Sequence, residues 1–409
     1  MLTRSIATNS LRSKQQPRQD AGSDPIATSF AAIGRCGEKA VAYFYGRLFA
    51  ENPRLRALFP AAMDYQRDRL LRALVKITKS LDDEAALGTY LEQLGRDHRK
   101  YGVQRGDYPA VGKALLATFQ KFAGDAWTPA AAAAWAATYK RAADIMIAAA
   151  EEAAEQMPPW WPAEVTAHEI RAPGLAVLTV RPESRVPYQA GQHVSIQTPR
   201  YHRVWRPFSV ACAPRDDAQL VFHVRAIPGG WVSTSLVRHT RPGDGLIIGP
   251  AAGTMTADPQ SKRPLLCAAG GTGLAPMKAI LEEVIRGGSP GQRRSIDFYF
   301  GARDADNLYD LEALWELEQR HPWLRIVTTV ADRSASSPTH GLLPDVLARA
   351  LPIAGDQDAY VAGPLAMVQR TARVLRRAGI PRERLHHDLA ALTSGYSVPF
   401  SIEGERPSD

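Results

Sequence analysis

Arg206, Phe208 and Ser209 stand within Arg203-Val204-Trp205-Arg206-Pro207-Phe208-Ser209-Val210-Ala211. On a β-strand, alternation puts Arg206 and Phe208 on one face, a cation beside an aromatic ring, and Ser209 follows on the other. A flavin nucleotide needs that set: a cation for its phosphates, a flat apolar surface for its ring, and a hydroxyl or amide for the ring's polar edge. Arg206-Pro207-Phe208-Ser209 taken alone is also an ordinary edge strand with Pro at a tolerated position. Downstream, Gly229-Gly230-Trp231-Val232-Ser233-Thr234 is a glycine turn before a helix start, where backbone N–H groups and the helix terminus favour an anion. A second glycine turn, Gly270-Gly271-Thr272-Gly273-Leu274-Ala275-Pro276-Met277, follows an apolar run and precedes a helix. Glycines at a strand-to-helix turn admit a pyrophosphate, although the pattern alone is weak. In the N-terminal third, His98 shares an apolar helix face with Leu91, Leu94 and Tyr101. A histidine so placed is either a satisfied core residue, the commoner case, or a metal ligand.

The rest of the chain must position these groups. Its 409 residues are too many for one small domain, and 45% hydrophobic with 22% charged residues is ordinary globular composition. The net charge of +8 comes from scattered basic residues. No dense basic run interleaved with aromatics reads as a nucleic-acid surface, so the charge serves solubility and anionic cofactors. Cys36, Cys212 and Cys267 have no paired spacing, which fits a reducing cytoplasm. No apolar run reaches the ~20 residues of a membrane span. The sequence leaves the oligomeric state open, with a monomer favoured.

Residues 1–25 read as a disordered tail. From 26 to 157 the pattern is helical, with Val41, Tyr45, Leu48 and Phe49 on one helix and Gln66, Leu70, Leu74 and Ile77 on the next. An Ala-rich helix over 130–155 carries Trp135 and Tyr139. Met157-Pro158-Pro159-Trp160-Trp161-Pro162 breaks the helix. Over 158–260, alternating runs at 176–180, 193–197, 207–211, 220–225 and 246–249 predict an antiparallel β-barrel. From 261 to 409 strands alternate with helices, which predicts a parallel α/β sheet. Its strand at 265–269 meets the second glycine turn, its strand at 296–300 ends on Gly301-Ala302-Arg303, and Tyr360-Val361-Ala362-Gly363-Pro364 is a further turn.

These stretches together resemble flavohaemoglobins, a globin fused to a ferredoxin-reductase-like module, along nearly the whole chain. The globin pieces are Tyr43-Phe44-Tyr45-Gly46-Arg47-Leu48-Phe49, Glu51-Asn52-Pro53, Leu58-Phe59, Gln66-Arg67-Asp68, Asp97-His98 and Tyr108. The reductase pieces are Tyr188-Gln189-Ala190-Gly191-Gln192-His193-Val194, the arginine strand and the glycine turns. The resemblance implies three cofactors: haem b, FAD and NAD(P)H. It implies His98 as the haem-iron ligand, Phe59 packing on the haem, Tyr45, Gln66 and Leu70 on the distal side, and Tyr108 beside the proximal histidine. For FAD it implies Tyr188, Arg206, Pro207, Phe208, Ser209, Gly230, Val232 and Ser233. For the nicotinamide cofactor it implies Gly271, Thr272, Gly273, Leu274, Ala275, Pro276, Arg303, Gly363 and Pro364.

There are departures. Phe208 replaces the family's usual tyrosine, so the ring can stack but the phenol is lost. Asp97 stands where relatives often carry lysine, and Ala362 where they often carry cysteine. The family's proximal glutamate falls on Ala150, with Glu151 one residue on, about 100° round a helix. The terminal aromatic expected against the flavin is replaced by Ala390.

The implied activity is conversion of NO and O2 to nitrate, with electrons passing from NAD(P)H through FAD to haem. Flavin belongs between a two-electron donor and a one-electron acceptor. Two other readings are a gas-sensing globin without turnover and an NAD(P)H:flavin reductase serving a separate acceptor. The chain has no kinase, cyclase or DNA-reading segment to carry the sensor reading.

Overall fold

A computed structural model describes residues 24–258, 260–287, 293–331, 340–350 and 355–388. Ala390 and residues 1–23 lie outside them. Eleven α-helices are described: α1 (Pro25–Gly34), α2 (Gly37–Glu51), α3 (Asp64–Lys79), α4 (Glu84–His98), α5 (Tyr108–Ala123), α6 (Pro129–Gln156), α7 (Trp231–Arg238), α8 (Leu274–Gly287), α9 (Leu311–Arg320), α10 (Leu343–Ala350) and α11 (Leu365–Arg377). The described strands are β1 (Trp161–Ala172), β2 (Leu175–Pro182), β3 (His193–Gln197), β4 (Arg206–Ser209), β5 (Leu220–Arg225), β6 (Gly245–Ala252), β7 (Leu265–Gly270), β8 (Ile296–Ala302), β9 (Leu324–Val330), β10 (Asp358–Ala362) and β11 (Leu385–His386). None of the described helices is long and apolar enough to cross a membrane.

The chain divides into two compact units. The first holds residues up to 55, then 70–91 and 105–145; the second holds 56–69, 92–104 and everything from 146 on. In the first, α1 starts where Asp24 accepts a hydrogen bond from the Ile26 amide at 2.9 Å, a side-chain cap that satisfies an orphan donor. Its core gathers Phe44, Leu48, Phe119 and Trp135, all at most 3% exposed. Trp135 donates to Ser29 Oγ at 2.9 Å, so the indole is buried without an unmet N–H. Gly112 lets Tyr139 lie against α5: an added Cβ would meet the Tyr139 ring at 2.4 Å.

In the second unit a six-stranded antiparallel sheet runs in the order β4-β3-β6-β1-β2-β5. An isolated bridge joins Val210 to Phe222, and the Ala211 amide donates to the Val221 carbonyl at 2.7 Å. The helix α6 ends at Gln156, as the prolines predict, but β1 starts earlier than the strand pattern expected from Ala163. Trp161 and Pro162 in fact lie inside it, opposite Ile248 and Ile247 of β6. A five-stranded parallel sheet follows in the order β11-β10-β7-β8-β9. All six residues of β7 are buried, as expected of a central strand covered on both faces.

Where β5 meets the Tyr309–Asp310 turn, His223 Nδ1 lies 2.8 Å from the Tyr309 hydroxyl. Its Nε2 faces Asp310 Oδ2 at 3.9 Å, and that carboxylate pairs with Lys278 at 2.8 Å and with Arg171 at 3.5 Å. Burial, helped by Lys278 and Arg171 against Asp310, pushes the His223 pKa from 6.5 to about 3. The folded protein therefore holds His223 neutral where the unfolded chain takes up a proton. Stability is complete above pH 6.5 and is lost as pH falls towards 3, by on the order of 5 kcal/mol across the window. Urea midpoints measured from pH 7 to 4 should fall more steeply in the wild type than in His223→Gln. Parallel curves for the two proteins would refute the assignment.

Candidate functional site

His98 is the last residue of α4, and the only histidine before His168. Its Nδ1 lies 2.7 Å from the Leu94 carbonyl one turn back, so the N–H sits on Nδ1 and donates there. Burial lowers its pKa, which keeps the imidazole neutral with Nε2 as the acceptor nitrogen, the form that ligates a metal. Gly95 is required beside it: an added Cβ would meet the Met146 carbonyl oxygen at 2.2 Å, so α4 and α6 touch backbone to backbone. Tyr101, expected on the same helix face, lies in the 3-10 turn Arg99–Tyr101 instead.

Phe59 and Gln66 belong to the same compact unit as His98, whereas Tyr45, Leu70 and Tyr108 belong to the other. Tyr45 is 7% exposed and its ring contacts Phe44 and Phe49, with centroids 4.9 and 5.8 Å away. Tyr108 opens α5, and its backbone carbonyl accepts the Tyr139 hydroxyl at 2.6 Å. Burial, with Asp107 adding to it, pushes the Tyr108 phenol up to about 12. No residue of α3 is buried, although Leu70, Leu71, Leu74 and Ile77 give it an apolar face. α6 is a continuous α-helix through Ala150 and Glu151, and Glu151 is exposed.

Residues beyond the expected set join His98 to the arginine strand. Lys100 is 5% exposed, and its ammonium donates to Asp97 Oδ1 at 3.2 Å and Ser195 Oγ at 3.0 Å. Burial opposes ionisation of Asp97, yet Lys100 and Arg69 outweigh it and hold the carboxyl below its usual range. Asp97 thus replaces one cation while Lys100, one turn on, supplies another. Arg203 Nη1 donates to the Tyr101 carbonyl at 2.8 Å, and Tyr101 lies edge-on to Trp205 with centroids 6.5 Å apart. The Lys100–Ser195, Arg203–Tyr101 and Tyr101–Trp205 pairs could not be read locally, since about a hundred residues separate the partners.

On β4 the register pairs Ile196 with Arg206 and Val194 with Phe208, which bears out the alternation. Phe208 packs on the sheet core. The Arg206 guanidinium donates to the Trp205 carbonyl at 2.9 Å and lies 4.1 Å from the centre of the Tyr65 ring, a cation–π contact. Pro207 is exposed and Ser209 half-buried. The Tyr188 hydroxyl donates to the Cys212 carbonyl at 3.1 Å, which ties that side chain to the sheet. Val232 is 1% exposed, and Ser233 Oγ donates to the Gly230 carbonyl at 3.2 Å and faces the Ile227 amide at 3.4 Å. Gly230 begins α7 without a side-chain cap, so what this turn offers an anion is its first-turn amides rather than side chains. If Arg206 holds a flavin phosphate, Arg206→Ala should weaken FAD binding by ~1.5–3 kcal/mol, enough for FAD to be lost on gel filtration. Unchanged FAD content after dilution would make the arginine structural only.

At the end of β7, Gly271 adopts φ +54° with no atom within 4 Å of an added Cβ, whereas a Cβ on Gly273 would meet the Ala362 carbonyl oxygen at 2.1 Å. The turn is therefore open on one side and pressed on β10 on the other, the cradle a pyrophosphate requires. Leu274, Ala275 and Pro276 are buried in α8 and shape the turn from behind, while Thr272 is half-buried. Gly271, Arg303 and Pro364 line a cavity of about 510 Å³, together with Arg225, Asn307 and Arg370. Gly363, at φ 150°, precedes Pro364 and abuts Gly270. Arg225 and Arg370 were not anticipated; only the end of a strand and the face of a helix marked them.

Three family profiles match the chain in this order: globin at residues 42–146, oxidoreductase FAD-binding domain at 164–256 and oxidoreductase NAD-binding domain at 268–373. The ferredoxin–NAD(P)(+) reductase component of the Pseudomonas putida naphthalene 1,2-dioxygenase system is 32% identical over 226 residues, 55% of this chain and 66% of that protein. The flavohemoprotein of Bordetella pertussis is 28% identical over 379 residues, 86% of this chain and 93% of that protein. Among solved structures, the flavohemoglobin of Malassezia yamatoensis with bound FAD and heme has a TM-score of 0.73 at 20% identity, covering 88% of this chain and 96% of that one. The chain is a redox enzyme, a globin domain fused to FAD- and NAD(P)-binding oxidoreductase domains. It matches the flavohaemoprotein family at moderate identity over most of its length.

Proposed function

We propose that this protein is an NAD(P)H-dependent nitric oxide dioxygenase, which turns NO and O2 into nitrate. The observation that carries the proposal is His98, held neutral by burial with Nδ1 bonded to Leu94, at the head of a chain whose other matches are FAD and NAD domains. The working boundaries are 26–157 for the globin, 158–260 for the flavin domain and 261–409 for the nicotinamide domain. The Val210–Phe222 bridge between the two end strands of the antiparallel sheet supports its closure into a barrel.

When bound, haem b supplies one-electron iron chemistry, NAD(P)H supplies hydride, and FAD connects the two. His98 Nε2 would ligate the iron, with the Leu94 carbonyl fixing its tautomer and orientation. Phe59 and Leu70 would supply apolar contact for the haem. The Tyr45 hydroxyl and the Gln66 amide are hydrogen-bond donors towards the oxygen substrate, where a buried donor stabilises developing charge better than water does. Tyr108 serves the proximal side. Arg206 and the first-turn amides of α7 would neutralise the FAD phosphates, and Phe208 and Ser209 would hold its ring. Gly271 and Gly273 would seat the nicotinamide cofactor's pyrophosphate, and Arg303, lining the same cavity, would hold its adenosine end.

The test is NO consumption by purified protein given NADH or NADPH in air, with nitrate assayed. Stoichiometric nitrate supports the proposal, and NO loss no faster than without the nucleotide defeats it. A second reading, a reductase for a separate acceptor, is favoured by the 32% identity over 226 residues to the P. putida reductase component. It predicts that an added one-electron acceptor, and not the chain's own haem, is reduced.

A further inference from the structure

Trp231 is 48% exposed and Ile227 41% exposed, a large apolar surface on either side of the Gly229–Gly230 turn. Exposed indoles scattered singly need no explanation, but this one is organised. Its ring stacks on Tyr201, from the loop between β3 and β4, with centroids 5.7 Å apart and planes 25° from parallel. Tyr201 is itself half-buried against the sheet core, so one side of the indole is backed by a ring that the fold holds in place. The other side is open. Trp231 is also the first residue of α7, whose amino end carries no side-chain cap, and Gly229 turns the chain into it at φ +71°. Resting on the flavin reading above, a pyrophosphate held at these first-turn amides brings the nucleoside beyond it within reach of the Trp231 ring. Isoalloxazine and adenine cannot both lie there, and Arg206, Phe208 and Ser209 sit on a different strand, which leaves this platform to the adenine end.

We infer that Trp231, backed by Tyr201, is the stacking seat for the adenine of FAD and the residue by which the protein selects FAD over FMN. Base–aromatic stacking is insensitive to the base's hydrogen-bonding edge, so the platform needs no further polar partner. FMN has the phosphate and the flavin ring but no adenine, and gains nothing from it.

The test uses the full-length protein stripped of flavin and titrated with FAD and with FMN, followed by flavin fluorescence. Wild type should bind FAD more tightly than FMN. Trp231→Ala should weaken FAD about tenfold while FMN stays within about twofold, and Trp231→Phe should recover most of the loss. Tyr201→Ala, which removes the backing ring, should weaken FAD alone and by less. Equal weakening of FAD and FMN in Trp231→Ala would overturn the inference, because the residue would then only shape the helix start. FAD affinity unchanged by Trp231→Ala would overturn it too. Binding of neither flavin by wild type would defeat the flavin reading itself.

Discussion

His98→Ala protein is expected to purify with its flavin and without haem. The Soret band should be lost, with haem content reduced about tenfold or more, since one axial histidine holds a globin's iron. No other histidine precedes residue 168, so none nearby in sequence substitutes. The flavin absorbance and its bleaching by NADH should survive, because β3 to β6, α7 and the parallel sheet do not contain the substitution. Lys100 and Tyr101 are the reason to look for a smaller second effect: they fasten the segment that follows His98 to Ser195 and to Arg203. Far-ultraviolet circular dichroism on the same sample separates haem loss from unfolding. Full haem retention in a folded variant would remove His98 from the iron.

Gly273→Ala is expected to abolish nicotinamide-driven flavin reduction, slowing it by about 100-fold, the size of loss that an ångström of misplacement produces. The added Cβ would lie 2.1 Å from the Ala362 carbonyl oxygen, 2.3 Å from its carbon and 2.6 Å from the Gly363 amide nitrogen. All three are backbone atoms at the end of β10, which is paired in parallel with β7 along five residues and cannot yield cheaply. The turn must move instead, and with it the amides offered to the cofactor. Gly271→Ala is the control: nothing lies within 4 Å of its Cβ, so only the left-handed φ opposes it, at about 1–2 kcal/mol. Stopped-flow bleaching of the flavin under argon should rank wild type above Gly271→Ala and both well above Gly273→Ala. Wild-type rates in Gly273→Ala would mean that the turn is not the nicotinamide seat.

The flavin strand was legible because its chemistry is local: Arg206 and Phe208 are two residues apart, and strand geometry alone puts them on one face. The glycine turns were legible for the same reason. The start of β1 was hidden by its own proline, since Pro162 in second place is a position where a strand tolerates proline but a reader of sequence sees a break. β9 passed unread although Ile326, Val327, Thr328, Thr329 and Val330 form a β-branched run that propensity flags. The role of Lys100 was beyond reach. A buried ammonium between Asp97 and Ser195 depends on segments ninety-five residues apart, and no period or motif encodes that. The ring of Tyr65 beneath Arg206 is equally nonlocal. Arg225 reaches the cavity at the end of β7 only because β5 ends there.

Anaerobic addition of NADH to the ferric protein, with the whole visible spectrum recorded, tests the central claim that electrons from the nicotinamide nucleotide reach the globin's iron through the flavin. The expected result is flavin bleaching accompanied by conversion of the haem spectrum from ferric to ferrous in the same sample, with both changes lost in Gly273→Ala. Flavin that bleaches fully beside haem that stays ferric would contradict the account and leave the chain a reductase for an acceptor elsewhere.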